Sequence, residues 1–245
     1  MNRAESLAAG QDAANHWELG CLLASEDYLY RLDSPKEYSA PPRLLRLARV
    51  LRALMDNPAP SAGQLLVWLT RQAGFLDRSQ RRLLLIQALA AVRPAPADAA
   101  SFWDRNSQAD SPYLTVTIGA LADNGTPNAL RLLETKMADP EIESDLKISW
   151  MRRPILVHRN EAPVLDSCGR MLVGLMSQEL RPPLVGALFD YQSDWYRSNP
   201  PVPPVSSAMD PQARKLSRGI AQYALQNIPL DSVLKAKVEL SLRQP

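Results

Sequence analysis

The stretch Ser111–Pro140 reads SPYLTVTIGALADNGTPNALRLLETKMADP, and it contains three helix starts within 30 residues. At Ser111-Pro112, Thr126-Pro127 and Asp139-Pro140 a residue that caps helices stands directly before a proline, and Asp210-Pro211 repeats the pattern. Ser, Thr and Asp accept hydrogen bonds from the free backbone N–H groups at a helix start. Proline fits the first helical turn because no N–H donor is needed there. The spacing predicts short helices in series, each of about three turns, which is typical of a helical-repeat protein.

Residues 114–118 read LTVTI and also fit a strand, because the segment alternates and is rich in β-branched residues. Its flanks, Ser111-Pro112 before it and a segment of small residues and leucine after it, favour a helix. We therefore expect a helix there, and no strand elsewhere in the chain.

Composition agrees with an all-α fold. The chain has 245 residues, of which 46% are hydrophobic and 6% aromatic, so its core must consist mostly of Leu, Ala and Val. Leu and Ala are strong helix formers. The 10 glycines and 21 prolines suit short helices with stiff connections better than a sheet with tight hairpins.

Apolar periodicity predicts ten or eleven helices, and Ser61 and Gly74 are read as the cap and the end of one of them. Pro154 is expected to bend or end another. Trp68, Leu83 and Leu175 are assigned to buried faces. From residue 43 onward, the expected spans lie close to residues 43–55, 61–74, 78–92, 97–106, 112–122, 127–138, 140–153, 161–177, 183–196, 211–226 and 230–242.

Residues 199–204, NPPVPP, form the one convincing linker in the sequence. The predicted organisation is a helical repeat domain over 1–197, a proline-rich linker over 198–210 and a C-terminal helical pair over 211–245, packed on or near the end of the repeats.

The stretch from Leu114 to Cys168 resembles HEAT repeats. A first helix ends in Ile118-Gly119-Ala120-Leu121, and a polar turn follows at Ala122-Asp123-Asn124-Gly125. A second helix then runs to an Asp-Pro turn, and its spaced apolar residues are Ala129, Leu130, Leu132, Leu133 and Met137. The next helix is expected to begin at Asp139-Pro140, with Glu141 and Glu143 in its first turn.

This resemblance implies an all-α, right-handed α-solenoid of about five stacked hairpins with a long concave face. Such families mostly bind proteins or peptides; a minority bind nucleic acid, and a few are enzymes. Tetratricopeptide arrays are the main alternative, but their 34-residue pattern is not found in the chain.

Catalytic, cofactor and metal signatures are weak, so we expect none of these sites and no enzyme. The two histidines, His16 and His158, are far apart, and His158 is expected to be solvated or locally bonded. Cys168 lies on an apolar stripe and is read as a buried structural thiol, although a Cys168–His158 pair is conceivable. The acidic residues of 139–145 suit a helix start better than a metal site.

Two arginine clusters are the charged candidates for binding an acidic partner or phosphates. The series Arg43, Arg46, Arg49 and Arg52 would join Arg78, Arg81 and Arg82 if their two helices lie side by side. Arg152 and Arg153 form the second cluster. Aromatic residues near a tryptophan give a third candidate surface, because Tyr, Trp and Arg dominate interface energetics; these residues are Tyr191, Trp195 and Tyr196.

The overall charge and the absence of a targeting pattern set the expected location. A net charge of +2 is no nucleic-acid signature. The sequence shows no signal peptide and no apolar stretch long enough to span a bilayer. Two distant cysteines suit a reducing compartment. We therefore expect a cytoplasmic scaffold or adaptor that binds a protein partner on its concave face. The alternative is a nucleic-acid-binding solenoid, possibly of the DNA-repair type, that uses the arginines.

Overall fold

Every regular element in the described part of the chain is helical. The computed structural model describes residues 3–25, 43–158, 160–190 and 211–243. These residues form fourteen α-helices and no strand, which confirms the all-α prediction and exceeds the expected ten or eleven helices. Part of the excess comes from helices of seven and four residues, which are too short to show an apolar period.

The chain divides into two compact units, one up to Ala120 and one from Leu121. The helices of the first unit are α1 (Arg3–Ala9), α2 (Ala13–Ala24), α3 (Arg43–Asp56), α4 (Pro60–Leu69), α5 (Ala73–Leu76), α6 (Ser79–Ala88) and α7 (Ala97–Asn106). A 3-10 turn, Leu89–Ala91, extends α6.

Packing in the first unit centres on α3. This helix contacts α1, α4 and α6, and Leu47, Val50, Leu51 and Leu54 are buried on its inner face. This is the face that its apolar spacing predicts. In contrast, Leu85 rather than Leu83 lies in the core of α6, and Leu83 is 38% exposed.

Helix α8 (Leu114–Asn124) begins in the first unit and ends in the second. It covers the LTVTI segment, so the prediction of a helix there is confirmed. The second unit continues with α9 (Pro127–Ala138), α10 (Ser144–His158), α11 (Ala162–Arg170), α12 (Arg181–Phe189), α13 (Pro211–Asn227) and α14 (Ser232–Arg243).

Contacts in the second unit join helices that are close in sequence. Helix α9 contacts α11, α10 contacts α11 and α12, and α11 contacts α13. Helix α14 contacts both α12 and α13. The C-terminal pair α13 and α14 therefore packs on the helices directly before it. The arrangement of the helices as a solenoid stays a prediction.

The Ser/Thr/Asp-Pro pairs mark helix starts with different accuracy. Helices α9 and α13 begin at Pro127 and Pro211 as predicted. Helix α8 begins two residues after Pro112. The Asp139 carboxylate accepts a hydrogen bond from the N–H of Glu141 at 2.9 Å, and this turn delays α10 until Ser144.

Two further boundary predictions are wrong, and a third is wrong in part. Helix α4 starts at Pro60, so Ser61 is not its cap, and it ends at Leu69, well before Gly74. Gly74 lies inside α5, and Gly125 is the glycine with a positive φ, 63°, among the described residues. Helix α10 continues through Pro154 to His158, so Pro154 does not end it.

A π-helical segment, Met171–Leu175, continues α11. The N–H of Met176 bonds to the carbonyl of Met171 at 3.1 Å, which is the i→i+5 pattern of a π-turn. The wider turn rotates the positions that follow it. Cys168, Met171 and Leu172 are buried as the stripe predicts, but Leu175 is 38% exposed, contrary to its assignment to the core.

Candidate functional site

The predicted arginine surface on α3 is partly present. Arg46 is half-buried, and Arg49 and Arg52 are exposed. Arg52 forms an ion pair with Asp56 one turn later, with 2.8 Å between Nε and Oδ2. Arg43 belongs to α3, and its side chain lies outside the described residues.

The arginines at the start of α6 mostly hold α5 in place. Helices α3 and α6 do lie side by side. Arg81 is buried and donates to the carbonyl of Gly74 at 2.9 Å. Arg82 donates to the carbonyl of Leu76 at 3.1 Å and lies 5.4 Å from the centre of the Tyr113 ring. Arg78 is exposed. Two of these three guanidinium groups therefore bind carbonyls of a short neighbouring helix.

Arg153 of the second cluster is bound to a carboxylate. Its Nε and Nη2 donate to the two oxygens of Asp123 at 2.6 and 2.7 Å, and this hydrogen bonding raises the pKa of the Arg153 guanidinium. Bidentate pairs of this kind are among the stronger charge-assisted contacts. Arg152 is half-buried on the same helix. Tyr191, Trp195 and Tyr196 lie outside the described residues.

His158 completes the junction around Asp123. Its Nε2 bonds to the Asp123 carbonyl at 2.6 Å, and its Nδ1 lies 2.9 Å from a Glu161 carboxylate oxygen. The ring is buried and locally bonded. Since both nitrogens are engaged, His158 is not free to act as a base for Cys168. A Cβ added to Gly125 would lie 2.5 Å from this ring, so the turn requires glycine for space as well as for its φ.

A buried polar cluster lies between α9 and α11, and the sequence pattern does not predict it. Glu134 is 7% exposed and accepts a hydrogen bond from the Ser167 hydroxyl at 2.6 Å. Arg170 donates to both Glu134 oxygens, at 2.7 and 3.2 Å, and forms a second ion pair with Asp166. These contacts, first the hydrogen bond with Glu134, raise the pKa of Arg170. The i, i+4 spacing of Asp166 and Arg170 is the one visible signal in the sequence.

Cys168 follows Ser167 in α11 and is buried beside this cluster. It is 1% exposed, and burial, followed by the nearby negative charge of Glu134, raises the pKa of its thiol to about 12. The reading of Cys168 as a buried structural thiol is confirmed.

The second unit contains a groove, which we call the α11–α13 groove. It runs between the α11 helix with its π-helical extension and α13, and its volume is about 910 Å³. Its apolar lining includes Leu172, Val173, Leu175, Leu216 and Ile220. Val173 is 60% exposed, so apolar surface faces water in the groove.

Three glycines also line the α11–α13 groove: Gly169, Gly174 and Gly219. A Cβ added at Gly174 or Gly219 would meet nothing within 4 Å, and one added at Gly169 would make an ordinary contact with Ile220. Internal packing therefore does not require glycine at these positions. Glycine inside a helix costs stability, about 1 kcal/mol relative to alanine.

The two sides of the groove differ in charge. Asp166 and Arg170 line one side and form an ion pair, and Arg170 is shared with the buried Glu134, so one negative charge on this side is left unbalanced. Lys215 lines the other side, and Arg214 is its exposed neighbour. Among the described residues neither of these two cations forms an ion pair. The sequence of α13 contains no Asp or Glu.

A smaller cavity in the first unit, about 400 Å³, lies between α2 and α4, and we call it the tryptophan cleft. Trp17 and Trp68 line it and are 75% and 38% exposed, so Trp68 is not the core residue that its spacing predicts.

The tryptophan cleft also contains His16. Its Nδ1 lies 2.6 Å from the Ser61 hydroxyl. The other ring nitrogen lies 3.3 Å from the side-chain amide of Asn57, which donates to the Ala8 and Gly10 carbonyls. No carboxylate orients His16 among the described residues.

In the ranges that the structure covers, no group of three or more His, Cys, Asp or Glu side chains could hold a metal ion. Within the same ranges, no helix has the length and apolar character needed to span a membrane.

Comparison with known proteins adds no relative: no family model, no curated protein and no solved structure matches this chain at a significant level.

Proposed function

We propose that this protein is a non-catalytic helical scaffold that binds a protein partner through the α11–α13 groove. The observation that carries the proposal is the exposure of Val173 and Leu175 in a groove whose glycines are not explained by internal packing. Contiguous apolar surface that faces water marks interaction sites in proteins that otherwise bury such groups.

The contact pattern of the second unit supports a repeat-type scaffold. Each helix from α9 to α14 contacts a neighbour one or two helices away in sequence. Helical-repeat proteins have this pattern because each hairpin covers the apolar face of the next. A HEAT-like array, with the groove as part of its binding surface, therefore remains our proposal for the architecture.

Several contacts support a binding role rather than a catalytic one. Both ring nitrogens of His158 have partners, and the Cys168 thiol is buried with a pKa of about 12. The thiolate, not the thiol, is the nucleophile. In the tryptophan cleft His16 and Ser61 lie in contact, but no carboxylate among the described residues orients the imidazole as a serine-type mechanism requires.

The arginine contacts favour a protein partner over nucleic acid. Binding of phosphates requires cationic groups that are free to replace counterions. Arg52 and Arg153 are paired with carboxylates, and Arg82 donates to a backbone carbonyl and lies against the Tyr113 ring. Arg81 is buried.

The test compares two valines that are equally exposed. Val173 in the groove and Val233 on α14 are both 60% exposed, so glutamate at either position should affect stability similarly. Affinity purification of tagged protein from the native cell, read by quantitative mass spectrometry, should recover the same partner with wild type and Val233→Glu. The partner should be lost with Val173→Glu. Recovery of the partner by Val173→Glu at the wild-type level would show that the groove is not its binding site.

A further inference from the structure

We propose that the α11–α13 groove receives an amphipathic helix with an acidic polar face, supplied by the protein partner. This inference rests on the proposed function and deepens it by naming the chemistry of the partner.

The length of the groove fits a helix. Its lining residues on α13 run from Gln212 to Tyr223. At 1.5 Å per residue this is about 17 Å, or three helical turns. An amphipathic helix anchors in such grooves through apolar residues three, four and seven positions apart. A helix of the same length would place those residues against the exposed and half-buried apolar lining, which is Val173, Leu175 and Leu216.

The glycines would let a partner helix pack close to the backbone of α13. Gly219 faces the groove from the middle of α13, and the space beyond its Cα is open. Side chains at helix interfaces set the distance between axes, and small residues let backbones come closer. A partner helix packed over Gly219 would therefore bury the groove more completely than one packed over a larger residue.

The charge of the groove selects an acidic partner. Lys215 lines the groove on α13 and Arg214 is exposed beside it, while on the opposite side Arg170 is shared between Asp166 and the buried Glu134. Because α13 carries no acidic residue, a basic partner helix would meet like charge along α13. An acidic helix would meet opposite charge, which gives specificity and a faster association.

A flat membrane surface fits this site less well. Basic amphipathic helices do bind anionic membranes when their apolar face protrudes. Here the apolar residues of α13 that face the groove, Leu216 and Ile220, are half-buried and buried rather than protruding. A convex element such as a helix fills a groove, and a bilayer surface does not.

The experiment uses two fluorescein-labelled peptides of about 18 residues, long enough to cover the groove as a helix. Both carry leucines three and four residues apart. One has glutamate at the exposed positions, and the other has lysine at the same positions. Fluorescence anisotropy with the full-length protein should show that the glutamate peptide binds at least about tenfold more tightly.

Two substitutions place the peptide in the groove. Gly219→Leu fills the open space and should weaken the glutamate peptide about tenfold or more, while the melting temperature stays equal or rises. Gly74→Leu is the matched control, since a Cβ there also meets nothing within 4 Å and Gly74 lies in the other unit. It should leave binding unchanged. Lys215→Glu should reduce the preference for the glutamate peptide.

The outcomes separate this inference from the proposed function. Equal binding of both peptides that Gly219→Leu abolishes would overturn the acidic partner and leave the groove as a protein-binding site. Absence of binding by either peptide, or binding that Gly219→Leu does not affect, would overturn the inference, and the valine comparison would still decide the proposed function. Binding to phosphatidylserine vesicles that Val173→Glu abolishes, with no peptide binding, would overturn both.

Discussion

At the scale of single residues, the buried polar side chains between α9 and α11 satisfy one another. Glu134 receives hydrogen bonds from Ser167 and Arg170, which lie 33 and 36 residues later in the sequence. A buried carboxylate requires such partners because removing its charge from water costs on the order of several kcal/mol. The cluster thereby fixes α9 against α11, next to the groove.

Removal of Arg170 should destabilise the protein more than removal of a surface arginine. We expect Arg170→Met to lower the free energy of unfolding by about 2 kcal/mol, because Glu134 would stay buried with fewer partners. The matched variant Arg52→Met breaks the exposed pair with Asp56 and should cost less than about 1 kcal/mol. Urea unfolding measures both, and equal losses would mean that the buried cluster does not stabilise the fold.

Two leucines test the assignment of the core. Leu133 is fully buried, and we expect Leu133→Ala to cost about 2–5 kcal/mol. Leu83 is 38% exposed, and Leu83→Ala should cost less than about 1.5 kcal/mol. Similar losses in thermal or urea unfolding would contradict the burial of Leu133 relative to Leu83.

The two cysteines should differ in reactivity. Burial raises the pKa of Cys168 to about 12, so at pH 8 its thiol is protonated and shielded, whereas Cys21 is exposed. A thiol-disulfide reagent such as DTNB should modify one cysteine per chain at pH 8 and the second after addition of denaturant. Rapid modification of two thiols in the native protein at pH 8 would show that Cys168 is accessible.

At the scale of the elements, local sequence accounts for much of the helix pattern and fails where partners are distant. The apolar period of α3 identifies its buried residues, and the Asp123-Asn124-Gly125 signal locates a turn that needs a left-handed glycine. Distant partners are invisible in the sequence, so the cluster of Glu134 with Ser167 and Arg170 could not be found. The exposure of Leu175 follows from a π-turn, which regular helical spacing does not include.

Two glycine substitutions should act in opposite directions. Gly219→Ala should raise the free energy of unfolding by up to about 1 kcal/mol, because alanine favours the helix and its Cβ meets no neighbour. Gly125→Ala should lower the free energy of unfolding by more than about 1 kcal/mol, because the residue has a φ of 63° and its Cβ would collide with His158. Destabilisation by Gly219→Ala would mean that its surroundings are tighter than described.

At the scale of the whole molecule, opposite charges nearly balance, with 28 basic and 26 acidic residues. This balance was readable from the sequence, but the pairing of individual arginines was not, since Arg153 meets Asp123 across 30 residues of chain. The sequence also gave no sign of the α11–α13 groove, because a groove depends on how two helices pack and not on either alone.

The charge balance predicts weak binding of nucleic acid. With most of the arginines in the predicted clusters engaged or partly buried, we expect no measurable binding of a short DNA duplex at physiological salt. An electrophoretic mobility or anisotropy titration over a range of salt concentrations checks this. Tight binding with a steep salt dependence, reduced by Arg49→Ala or Arg78→Ala, would instead support the nucleic-acid alternative.

The apolar surface of the α11–α13 groove also affects how the purified protein behaves. Hydrophobic surface in contact with water promotes self-association at high concentration. Purified alone, the chain should therefore bind a dye such as ANS and tend to aggregate during concentration. Co-expression with its natural binding partner should suppress both effects, which would give a practical route to crystals of the complex.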